Sequence, residues 1–239
     1  MIRLIFNADD FGFTRDVNEG IVEAHRHGVL TATTLMANGD AFDHAVACAR
    51  DTPTLDIGVH LVMVQGQSVA NPDRAMPATL QDLALALLLR QIPVYEEAAA
   101  QIRKILAAGI RPSHIDTHKH THLFPPVLDA LVRVAEEFDI PWVRQRLGIK
   151  LKGLRTTDHF AGFRDTGSLD EAAMIRTLEN LPDGLTEFMC HPGKCGPELL
   201  RAATRLKASR AVELAALTSP EVRRVIERRG IQLTDYRSA

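Results

Sequence analysis

The chain has 239 residues, 46% of them hydrophobic, which is enough for one sizeable core and is a usual length for a single α/β barrel. A formal net charge of −2 excludes bulk attraction to nucleic acid or to an anionic membrane. Cys48, Cys190 and Cys195 are too few and too scattered for a disulfide framework, and no apolar run reaches the ~20 residues of a membrane span.

In chain order, short β-like runs alternate with helical patterns. Ile2 to Ala8 reads as a strand and Val17 to His27 as a helix stopped at Gly28. Val29 to Met36 is a strand, Phe42 to Arg50 a helix, and Leu55 to Leu61 a third strand. The stretch from Val62 to Pro93 is poorly periodic and reads as a long insertion with one apolar helix around Leu80 to Leu89. Alternation then resumes. Tyr95 to Ala108 is a helix, Ser113 to Thr117 a strand, and a helix opens at Pro125 and runs to about Phe138. Ile140 to Val143, Leu185 to Cys190 and Ile231 to Thr234 are further strands. Leu169 to Asn180 is helical, and residues 197 to 229 are helical in two or three pieces. Arg223, Arg224, Arg228 and Arg229 fall in the last of these and read as a solvated helix face.

Repeated β-then-α units predict a parallel sheet covered by helices. Seven or so strands favour a distorted (β/α) barrel, in one domain spanning residues 1 to 239. No glycine-rich dinucleotide or phosphate-loop pattern is present. The first residues lack the pattern of a signal peptide, so a cytoplasmic chain is expected, with no membrane span and no nucleic-acid partner.

Functional side chains of parallel α/β folds gather at the carboxyl ends of strands. Here those ends carry Asp9 and Asp10, His60, the run from His114 to His122, Arg144, and His191. Adjacent strand residues point to opposite faces, which predicts separate jobs for Asp9 and Asp10, one as a metal ligand and one as a base. The bland alternative is a helix N-cap beside a surface charge. His60 alone reads more readily as a hydrogen-bonded structural residue than as a ligand. His114, Asp116 and His118, two apart, share one face of an extended chain, and His120 and His122 continue that spacing. A solvated histidine loop is the competing reading. One Asp and two His suit a divalent metal with open positions for water, but the same set also describes non-haem iron oxygenases and phosphoester hydrolases. Cys190 and Cys195, which flank His191, lack a second close pair and read as small buried side chains.

Four motifs in order, NADDFG at 7–12, GVHL at 58–61, HIDTHKHTHLFP at 114–125 and CHPG at 190–193, resemble the YdjC-like carbohydrate deacetylases, a family that includes chitooligosaccharide and hopanoid-associated types. NGDAFDHAV at 38–46 and the SPEVRR and RGIQL segments near the end extend the resemblance over nearly the whole chain. It implies a distorted (β/α) barrel that removes the acetyl group from an N-acetylglucosamine-containing oligosaccharide or glycolipid. It further implies Asp10, His60 and His118 as ligands of one divalent ion, Mg2+ first and Zn2+ second. Asp9 would be the general base and His191 the general acid. Arg144 would hold Asp9 or a substrate oxygen, and Phe11, His120 and His122 would line the site. A homodimer and a non-catalytic sugar-binding relative are both compatible with these residues. Residues 65 to 93 match no family motif and are expected to shape the substrate cleft, while 153 to 167 have no assignment.

Overall fold

The computed structural model describes residues 1–144 and 151–239. Among the described residues, eight parallel strands form one curled sheet: β1 (Ile2–Phe11), β2 (Ala32–Leu35), β3 (Asp56–Leu61), β4 (His114–Thr117), β5 (Trp142–Val143), β6 (His159–Ala161), β7 (Gly184–Cys190) and β8 (Gln232–Leu233). Their order is β5-β4-β3-β2-β1-β7-β6. β8 pairs with the lower part of β1 at Arg3 and Leu4, on the edge that β2 takes higher up, at Asn7 and Ala8. A parallel bridge between Trp142 and Arg155 draws the β5 edge toward the segment leading into β6. The distorted parallel barrel expected from the β/α alternation is therefore present. Its unforeseen strand, β6, lies in the stretch that had no assignment, because three half-exposed residues carry almost no periodic signal.

Parallel strands need crossovers, and helices supply them. α1 (Arg15–His27) is capped by the Thr14 hydroxyl, which accepts from the Val17 N–H. α2 (Phe42–Arg50), α4 (Val94–Ala107) and α5 (Pro125–Glu137) follow on the outside, and α5 opens on two prolines. α3 (Leu80–Leu88) stands in the insertion and begins with a reciprocal capping box between Thr79 and Asp82. α6 (Glu171–Glu179) precedes β7, and α7 (Pro197–Arg201), α8 (Ala208–Leu217) and α9 (Pro220–Arg228) fill the last stretch in three pieces. The core lies between sheet and helices, where Leu4, Phe6, Ile21, Leu35, Val59, Ile102, Leu131 and Phe188 are fully buried. Among the described residues, no helix is long and apolar enough to cross a membrane. Arg223, Arg224 and Arg228 are exposed, as expected of a solvated face, whereas Arg229 is half-buried and donates to the Leu181 carbonyl.

One close approach fixes the functional end of the barrel. A Cβ on Gly20 in α1 would sit 2.4 Å from the Gly193 Cα, on the segment just after β7. Gly20→Ala is thus expected to lower stability by about 1–3 kcal/mol, and a thermal melt reads the loss. An unchanged melting temperature would show that the two segments part freely.

Candidate active site

β1 is regular through Ala8, and its register with β2 then slips before Phe11. Asp10 adopts φ +73, a left-handed conformation that asparagine and aspartate tolerate better than most residues. This break overrides the alternation expected of a strand. Both Asp9 and Asp10 therefore line the same cavity of about 560 Å³ instead of facing opposite sides. Phe11 falls on the other side of the break and is fully buried in the core, away from the cavity. Phe13, two residues on, lines the cavity.

His60 pairs in register with Asp116 across β3 and β4. Its Nδ1 lies 2.6 Å from Asp116 Oδ1, so that nitrogen donates to the carboxylate and Nε2 is left for a ligand. His118 follows the last residue of β4. Asp10 Oδ1, His60 Nε2 and His118 Nδ1 form a triangle with sides of 3.0, 3.3 and 3.3 Å. Atoms that each bind one ion at ~2.0–2.2 Å stand about this far apart, so the donor set fits a single divalent cation. The electrostatics agree. Burial opposes a charge on His60, yet Asp116 and Asp10 hold its pKa up to about 10. Burial likewise opposes ionisation of Asp10, while Arg210 and His118 keep its carboxyl well below the usual range.

Asp9 has a different set of partners. Arg144 donates to both of its oxygens, at 2.8 and 2.6 Å, and also contacts Asp116 at 2.6 Å and Glu187 at 2.7 Å. Against the cost of burial, Arg144 keeps Asp9 ionised far below the usual carboxylate range. Arg144 itself is buried and does not line the cavity, so of its two expected jobs the geometry matches the hold on Asp9. His191 lies on the facing wall, its Nε2 3.9 Å from Asp9 Oδ2 and its Nδ1 4.0 Å from Glu213 Oε2. Burial pushes His191 down to about 4 and Glu213 up to about 7.

The histidine run divides by role. His114 points into the barrel one layer deeper, bonded to Asn7 at 2.9 Å and stacked on Tyr236. Lys119 and His120 then turn left-handed, which ends the extended spacing. His120 lines the cavity, whereas His122 is buried and bonds through Nδ1 to the Thr117 hydroxyl. Gln65 and Leu80, from the insertion, line the cavity as well. Cys48, Cys190 and Cys195 are free, and Cys190 is fully buried.

Arg210 and Glu213 escaped the sequence reading, though a signal existed. They are buried on α8 together with Leu214 and Leu217, at positions i, i+3, i+4 and i+7. Two charges within an apolar stripe imply buried partners. Arg210 donates to Asp10 Oδ2 at 2.5 Å, on the side away from the ligand triangle, and its Nη1 has no hydrogen-bond partner among the described residues. Glu187 went unnoticed because one acid on a strand gives no hint of the cation it meets, and for Asp116 the spacing gives the face shared with His114 and His118 but not its partners His60 and Arg144.

The parallel barrel thus brings to one carboxyl edge three atoms that could hold a divalent ion and a separate carboxylate paired with Arg144, an arrangement within an α/β enzyme-like fold. Residues 3–228 match the YdjC-like protein family, and the chain belongs to it. It is 37% identical to a carbohydrate deacetylase of Vibrio campbellii, over 98% of this chain and 95% of that one. It is 34% identical to a carbohydrate deacetylase of Brevibacillus brevis, over 98% of each chain. The solved structure of a proposed cellobiose-phosphate cleavage protein from Enterococcus faecalis superposes with a TM-score of 0.85 at 29% identity, covering 99% of this chain and 98% of that one. A family 4 carbohydrate esterase from Streptomyces lividans, at TM-score 0.52 and 12% identity, shares the fold over 98% of this chain and 91% of its own.

Asp116→Asn leaves His60 without its charged partner. A 10- to 100-fold rise in the dissociation constant for Zn2+ is expected, roughly the scale for losing such a partner, and calorimetric titration measures it. Equal affinity in the variant would remove Asp116 from the site.

Proposed function

We propose that the protein is a divalent-metal-dependent hydrolase that removes the acetyl group from an N-acetylglucosamine-containing oligosaccharide or glycolipid. One observation carries this reading: the Asp10, His60 and His118 triangle shares a cavity with an ionised Asp9 and with His191. The carbohydrate deacetylases of 34–37% identity support the same reaction. Two imidazoles and one carboxylate, whose second oxygen is taken by Arg210, suit Zn2+ or a similar ion better than Mg2+. A bound ion of this kind lowers the pKa of its water and polarises an amide carbonyl.

The chain's own groups then handle the proton. Asp9, with both oxygens oriented by Arg144, accepts it from the attacking water. His191 rests neutral at pH 7, so it takes the proton up from the Asp9 side and delivers it to the leaving nitrogen. Glu213 accepts the His191 backbone N–H at 2.6 Å and fixes the segment that carries the ring. Three free cysteines are consistent with a reducing, cytoplasmic compartment.

The test is acetate release from N-acetylglucosamine and its β-1,4 oligomers. Chelator should abolish release and added Zn2+ restore it. Asp9→Asn should lower kcat by about 10²- to 10⁴-fold while leaving metal content unchanged. Full activity in the Asp9 variant, on every accepted sugar, would falsify its assignment as the base.

A further inference from the structure

A second cavity, of about 460 Å³, opens beside the first, and the two share His120 and Phe163 as lining residues. We propose that this second cavity is a carbohydrate subsite for a sugar unit next to the one being deacetylated, with Phe163 as its stacking platform. The proposal rests on the deacetylase reading and adds where the rest of the substrate lies.

Three observations support it. Phe163 is 54% exposed, whereas its neighbour Phe160 is half-buried, so an aromatic ring is presented to solvent at the junction of two cavities. The ring stands close to the imidazole of His120, 4.8 Å away and nearly perpendicular, and Phe160 flanks the same imidazole at 6.1 Å. Pyranose rings have apolar C–H faces and polar edges, and a site for them combines an aromatic surface with a few polar groups. Here Arg164, Asp165 and Thr177 supply the polar part of the lining.

The platform is also held in place before any ligand arrives. Gly162, at φ +88, approaches so closely that a Cβ there would lie 2.0 Å from the Met189 carbonyl oxygen of β7. Thr166 then bonds back through its hydroxyl to the Phe163 carbonyl at 2.9 Å, which closes the turn. On the opposite side, His120 takes a left-handed backbone, a conformation kept where surrounding structure enforces it. The wall between the two cavities is therefore built from two fixed turns, one after β4 and one after β6. A substrate of two or more sugar units can reach across it, whereas a single unit occupies the catalytic cavity alone.

The test compares N-acetylglucosamine with N,N′-diacetylchitobiose on the wild-type chain, Phe163→Ala and Phe163→Tyr. For the disaccharide, Phe163→Ala should raise KM roughly threefold to tenfold with kcat little changed, the scale of one aromatic contact. The monosaccharide should respond clearly less than the disaccharide to Phe163→Ala, because Phe163 also borders the catalytic cavity, and Phe163→Tyr should retain the wild-type KM. Calorimetric binding of the same two sugars reads the subsite without turnover. If no sugar releases acetate but chitobiose binding still depends on Phe163, the deacetylase reading fails and the subsite stands. Equal effects on both sugars, or none on the disaccharide, overturn the subsite.

Discussion

Arg144 is a buried cation that three carboxylates from three strands converge upon: Asp9 of β1, Asp116 of β4 and Glu187 of β7. Taking any one of these charges out of water costs several kcal/mol, and only mutual pairing offsets that cost. Losing one partner leaves another charge buried and uncompensated, an effect of about 3–5 kcal/mol. The consequence reaches the site through two short paths. Arg144 fixes both oxygens of Asp9, and it also steadies the Asp116 that holds Nδ1 of His60. One guanidinium thus braces the free carboxylate and one corner of the ligand triangle together. Glu187 bears the remainder of the imbalance, pushed up to about 7 by burial, with Oε2 lacking a hydrogen-bond partner among the described residues.

Around that brace, charge is sorted by distance from the cavity. Asp10 turns one oxygen to the ligand triangle and the other to Arg210, so it is neutralised from behind while its front remains available. His191 and Glu213 form the opposite wall, where burial favours the uncharged form of each. The paired carboxylates Asp9 and Asp10 thus share one cleft with a histidine whose burial favours the neutral form.

Much of this could be read from the residues. The β/α alternation placed Asp9, Asp10, His60, His118, Arg144 and His191 at strand ends, and those ends do converge. What escaped has a common physical origin. Periodicity describes ideal strands, and the site is made where ideality breaks: the slipped register at Asp9 and Asp10, and the left-handed pair Lys119 and His120. Phe11 went to the core for that reason, whereas His114 lies a layer deeper because it opens the regular strand β4, well before the break. Arg210 and Glu213 sit on a helix that comes late in the chain, and sequence spacing does not reveal which strand end a distant helix covers. Short β6 offered too few residues for any pattern to register.

The central place of β1 bears on how the chain assembles. One edge of its lower half pairs with β7 and the other with β8, both more than 180 residues away in sequence, while only its upper half has the nearby β2. The first strand therefore stays partly unpaired until the last one exists. Long-range parallel pairing of this kind slows folding and leaves strand edges exposed meanwhile. The strand that presents the Asp pair is accordingly made well before β7 and β8 and is among the last to be fully enclosed.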